Sequence, residues 1–166
     1  MNPYAAATLL VGVAALQAAA GPHLAVMDIR PNLPLVIVTA WGLLRGSAEG
    51  VWWGLGAGLA TDLFAGVPLG MFSSGLTLAG LVAGTGERHV FRTHFLIPIV
   101  MIAANTLLAN GAALGMMALL DWPVRLWETM TSAVLPEIAY NATVMLLVLP
   151  AMGWLSRKTE GERIGL

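Results

Sequence analysis

The chain contains no cysteine in 166 residues. Disulfides, thiolate nucleophiles and cysteine-ligated metals are therefore excluded, and redox compartment is unreadable. Charge is the next scarcity. Only 10% of residues are Asp, Glu, Lys or Arg, against roughly 25% in an ordinary soluble domain. That is too little to cover a water-soluble fold of this length. A basic excess is missing as well: the formal net charge is -1 and the sequence pI is about 6.3. No patch exists to neutralise phosphates, so general nucleic-acid binding is excluded. Patterns of chemistry are equally thin. There is no HExxH motif and no second histidine near His23, which leaves no metal site to propose. Ser73 and Ser74 lie at one end of an apolar segment, His89 and His94 beyond its other end, and His23 in a separate loop. No serine and base share a depth, so neither an enzyme nor a cofactor is expected.

What is abundant is apolar. Hydrophobic residues make up 58% of the chain and the mean hydropathy is +0.80. An integral membrane protein follows, and at this length one domain spanning 1–166. Apolar segments cover about 5–20, 31–45, 48–62, 69–84, 95–120 and 131–155. A hydrocarbon core about 30 Å thick takes around 20 helical residues. The first and fifth segments meet that with their flanks. The second to fourth are short and must recruit flanking residues or thin the bilayer, with a re-entrant pair as the rival reading. The expected fold is all-α, a compact bundle of six transmembrane helices. If all six cross, Arg45, Arg88, Arg92, Arg157, Lys158 and Arg163 fall on one side, and Arg30 and Arg125 on the other. By the positive-inside rule both termini are cytoplasmic. "LQAAAG" has the look of a signal-peptidase site, yet no Lys or Arg precedes it, and an uncleaved helix is expected.

Gly50, Gly54 and Gly58 recur every fourth residue, along one helix face. Gly80 and Gly84 repeat the spacing, as do Gly111 and Gly115. Small residues let helix backbones approach closely in lipid. Two readings stand: packing within the bundle, or a face for another membrane protein. Five of the six tryptophans, Trp52, Trp53, Trp122, Trp127 and Trp154, fall near expected interfaces as an aromatic belt.

Polar groups inside hydrocarbon are costly and worth tracing. They are Gln17, Asp62, Asn105, Asn110, Glu137, Tyr140 and Asn141. At 1.5 Å per residue, Asn110 and Asn141 both lie about 15 Å deep on adjacent antiparallel helices, as an interhelical amide pair would. Glu137 is one turn shallower than Asn141 on the same face. Asp62 either ends its helix in headgroup water or joins this set, which leans toward the extracytoplasmic half. Gly54, Gly58, Asp62, Asn110, Glu137 and Asn141 are the candidate partner or pocket contacts.

The stretch around Gly58 resembles the rod shape-determining protein MreD family. That family leads into its second helix with Pro-Asp/Asn-Leu, here Pro31, Asn32 and Leu33. It then has a small-residue helix ending Gly-Leu-x-x-Asp, here Gly58, Leu59 and Asp62, and a loop closing with Pro-Leu-Gly, here Pro68, Leu69 and Gly70. An apolar helix with Gly80 follows, and near the C-terminus a proline with an asparagine a turn later, here Pro136 and Asn141. The likeness covers essentially the whole chain. It implies a non-enzymatic component of the cell-elongation machinery in the bacterial cytoplasmic (inner) membrane. The implied partners are MreC first, then MreB, RodA and its penicillin-binding transpeptidase, alongside membrane lipid. The family's fold is also similar to the substrate-binding subunits of energy-coupling-factor transporters, which implies the alternative of a small-solute or lipid-binding subunit.

Overall fold

The computed structural model describes residues 3–21, 23, 25, 29–85, 96–123 and 126–164. His89, His94, Arg88, Arg92 and Arg125 lie outside the described residues, as do the side chains of Trp127 and Arg163. The fold is an all-α bundle. Its elements are α1 (Pro3–Ala20), α2 (Leu33–Arg45), α3 (Ser47–Ala65), α4 (Met71–Gly84) and α5 (Leu96–Leu119). A last rod follows: α6 (Leu126–Thr129), a π-helical turn (Met130–Val134) and α7 (Leu135–Ile164) run on without a break.

Two of these helices are long and apolar enough to cross a membrane, over Leu96–Leu119 and Met130–Thr159. Only 28% and 17% of their apolar windows are buried, so they are not the core helices of a water-soluble protein. Their outward side chains include Val100, Leu107, Leu119, Leu146 and Leu147. A soluble monomer rarely exposes apolar surface on this scale. The polar end of α7 continues helical beyond the apolar stretch, because hydropathy marks the lipid-facing part of a helix and not its backbone limits.

The short α2 is the centre of the bundle. It packs on α1, α3, α4, α5 and α7, and Leu35, Val36, Val38, Thr39, Ala40 and Trp41 are fully buried. Its 13 residues reach only about 20 Å. Mismatch with a bilayer arises at surfaces that touch lipid, and α2 touches protein nearly all round.

Glycine decides how α3 meets α4. A Cβ on Gly54 would land on the Leu76 carbonyl, and one on Gly58 on the Ser73 backbone. Gly50 and Gly80 face each other in the same way, and Gly84 abuts Ser47. The order of these contacts makes α3 and α4 antiparallel at backbone contact. Gly75 then meets Ala109, which brings α5 onto the other side of α4. Van der Waals packing of this kind holds helices together where lipid removes the hydrophobic drive. Gly111, Gly115 and Gly153 take no part, for a Cβ there meets nothing within 4 Å.

One expectation for the aromatic belt is corrected. Trp53 is buried and stacks on Trp41, with ring centroids 4.1 Å apart. Successive helix residues point about 100° apart, so of the pair Trp52–Trp53 one must turn inward; Trp52 is the exposed one. Glu49 closes this corner by accepting from Trp41 Nε1 at 3.1 Å and Arg45 Nε at 3.2 Å. The arrangement ties the end of α2 to the start of α3 across Gly46.

Candidate functional site

Two polar constellations stand at the end of the bundle opposite Arg45. The first is Asp62, near the end of α3. It is fully buried and serves as the N-terminal cap of α4 from a different helix. Its Oδ1 accepts from Phe72 N at 2.7 Å. Its Oδ2 accepts from Gly70 N at 2.9 Å, Ser73 N at 3.3 Å and Ser73 Oγ at 2.9 Å. The first N–H groups of a helix lack intrahelical acceptors and carry the positive end of its dipole, which suits a carboxylate. Asp62 therefore does not end its helix in headgroup water. Ser73 is likewise committed, as a donor to a capping carboxylate that also holds three backbone N–H groups, and no histidine or lysine bonds it among the described residues.

The second constellation joins α1, α2, α5 and α7. Asn110 Nδ2 donates to Glu137 Oε2 at 2.9 Å and to the Thr106 carbonyl at 2.9 Å. Asn141 Nδ2 donates to Glu137 Oε1 at 3.3 Å and to Thr106 Oγ1 at 3.1 Å. Asn141 Oδ1 accepts from Asn32 N at 2.8 Å, while Asn32 Oδ1 caps α2 through Leu35 N at 3.1 Å. Gln17 completes the set from α1. It accepts from Leu33 N at 3.1 Å and donates to the Pro31 carbonyl at 2.9 Å. The chain before α2 is thus held by one amide from α1 and one from α7.

The expected pairing of Asn110 with Asn141 is replaced by an offset one. Asn110 meets Glu137, and Asn141 meets Thr106. On antiparallel helices a step of one turn up α5 is matched by a step of one turn back along α7, so both contacts belong to one register. Depth counted from segment ends missed that register by a turn. Asn105 sits elsewhere, fully buried, donating to Thr39 Oγ1 at 3.0 Å and the Ala79 carbonyl at 3.1 Å.

Of the residues singled out from the sequence, Asn110, Glu137 and Asn141 come together. Asp62 forms its own cap, and Gly54 and Gly58 face α4. Hydropathy gave no sign of Thr106, Thr39 or Glu49. Asn32 and Gln17 were visible as polar residues in or beside apolar segments, but their partners were not.

A cavity of about 910 Å³ opens beside this network. Gln17 on α1, Ser132 and Ala133 in the π turn and Glu137 on α7 line it. Phe64 and Phe72 supply aromatic surface and Arg30 a cation. The π turn Met130–Val134 adds an extra residue to the wall; such turns are frequent at functional sites.

Comparison with known proteins supplies one match. The family model described as rod shape-determining protein MreD matches residues 2–159. No curated protein and no solved structure matches the chain. MreD proteins are membrane components of the bacterial rod-shape machinery and not enzymes. A hydrophobic bundle with two long exposed helices, matched over nearly its whole length, belongs to the MreD family.

Proposed function

We propose that this protein is an adaptor of the cell-elongation machinery that binds MreC and so supports rod-shape peptidoglycan synthesis. MreB filaments, RodA and its penicillin-binding transpeptidase are the wider partners. The protein would sit in the bacterial inner membrane with six crossings and both termini cytoplasmic. The observation that carries this reading is the contrast among its glycines. Gly50, Gly54, Gly58, Gly80 and Gly84 are all closed by a neighbouring backbone, whereas Gly111 and Gly115, at the same spacing on exposed α5, meet nothing. A second transmembrane helix could approach there as closely as α4 approaches α3. The polar groups support the same reading, since they are matched to each other and not to a nucleophile.

The test is capture of MreC by tagged variants at equal expression. Gly111→Leu with Gly115→Leu should leave the bundle intact in detergent and lower MreC capture by roughly ten- to a hundredfold, the range of a lost close-packed contact of about 1–3 kcal/mol. Undiminished capture would remove α5 as the contact face. Glu137→Gln should leave capture near wild type, because the amide keeps the side chain's shape and one acceptor.

A second reading, a lipid- or solute-binding subunit, draws on a different observation: the 910 Å³ cavity with a carboxylate in its wall. The two readings concern separate surfaces and can hold together.

A further inference from the structure

The cavity beside Glu137 carries a carboxylate and a cation, Glu137 and Arg30, that do not pair with each other. Asn110 and Asn141 each spend both amide hydrogens within the chain. Thr61 donates to the Ala57 carbonyl at 2.8 Å and Ser132 to the Glu128 carbonyl at 2.5 Å. Glu137 takes amide donors from Asn110 and Asn141, with the Asn32 amide as a further neighbour. Beside it, the Asn110 carbonyl oxygen and the remaining lone pairs of a carboxylate that can take about four donors are left as acceptors. Glu137 is half-buried and, among the described residues, has no cation within ion-pair distance. A carboxylate in such a place wants a positively charged donor. Arg30 lines the same cavity, is exposed, and makes no ion pair or hydrogen bond among the described residues. Phe64 and Phe72 also line it, and aromatic rings attract a cation. The volume lies within the roughly 300–1,000 Å³ of small-molecule sites and exceeds what a single amino-acid side chain fills.

We propose that this cavity holds the headgroup of a zwitterionic aminophospholipid, its ammonium on Glu137 and its phosphate toward Arg30. The proposal deepens the second reading above and rests on it. Anion and cation on one cavity match both charges of such a headgroup, whereas an anionic lipid would meet Glu137 unfavourably. The cavity walls also fit an amphiphile. α1, which packs on α3 and α2, and α7 both contribute to its lining, and the exposed side chains outside include Leu16, Leu63 and Leu135.

The test uses the full chain reconstituted in vesicles of equal phosphatidylethanolamine and phosphatidylglycerol, then released into mild detergent. Retained lipid is read by native mass spectrometry. Wild type should retain the ethanolamine lipid over the glycerol lipid by about tenfold, the scale of one charge-assisted contact. Glu137→Gln should bring that ratio close to one. Ala133→Leu, a change at an exposed wall position, should lower retention of both lipids by filling space; should E137Q not fold, this variant alone decides. Equal retention of the two lipids by wild type, a preference surviving Glu137→Gln, or undiminished lipid retention by Ala133→Leu overturns the proposal. So does binding of soluble O-phosphoethanolamine without retention of lipid. Loss of MreC capture in E137Q with lipid preference intact would instead place a protein group on Glu137. Failure of the adaptor reading is separate, since it is read at Gly111 and Gly115.

Discussion

At the scale of single residues, Asp62 has the clearest energetic role. One carboxylate takes four donors, three of them backbone N–H groups at the start of α4. Alanine there would leave those donors buried or exposed to lipid, each at a cost of about 1–3 kcal/mol. Asparagine would keep an oxygen on the Gly70–Ser73 side but turn an NH2 group toward the Phe72 N–H. Asp62→Ala is therefore expected to melt well below wild type in detergent, with Asp62→Asn between the two. Equal melting of Asn and Ala variants would mean that the cap gains nothing from its individual hydrogen bonds.

Between helices the decisive quantity is the distance of closest approach. Gly54→Ala adds one carbon where the Leu76 carbonyl already stands, so α3 and α4 must separate, a strain of roughly 1–3 kcal/mol. Gly111→Ala adds the same carbon to open space and trades the least favourable helix former but proline for the best, a gain of up to about 1 kcal/mol. The two variants should shift the detergent melting temperature in opposite directions. A rise for both would mean that α3 and α4 are not in backbone contact, and a fall for both that Gly111 does not face open space. The Arg45–Glu49 pair with the Trp41–Trp53 stack is a further local lock on the α2–α3 corner. Glu49→Leu should loosen it by removing the shared acceptor of Trp41 and Arg45, lowering the melting temperature without touching the cavity at the other end.

For the whole molecule, helices that follow one another run antiparallel: Gly50–Gly80 with Gly58–Ser73 sets α3 against α4, Gly75–Ala109 with Ala79–Asn105 sets α4 against α5, and Thr106–Asn141 with Asn110–Glu137 sets α5 against α7. Arg45, Arg157 and Lys158 then fall at one end and Arg30 at the other. With six crossings, reporter fusions after Gly66 and after Arg88 should land on opposite sides of the membrane, the first outside. Both reporting one compartment would mean that α4 does not span. Salt is not expected to dissolve the bundle, since packing and buried hydrogen bonds hold it and only one ion pair is formed among the described residues.

Composition by itself determined that the chain is a helical membrane protein, because scarce charge and abundant apolar surface leave no soluble alternative. The spacing of Pro31 to Leu33, Gly58 to Gly70 and Pro136 to Asn141 carried the family. The direction in which each side chain faces was decided only in three dimensions. In water the inside is apolar and the outside polar, so periodicity separates them; in lipid both are apolar, and that signal vanishes. Hence Trp53 reads like Trp52, and Gly111 reads like Gly54. Register was hidden for a related reason: whether Asn110 meets Asn141 or Glu137 depends on how two helices slide past each other, which neither segment encodes alone. Asp62 could be seen at a helix end, but the donors it accepts from belong to α4. The cavity is more remote still, being the space left when α1, α3, α4, α5 and α7 have each settled against other neighbours.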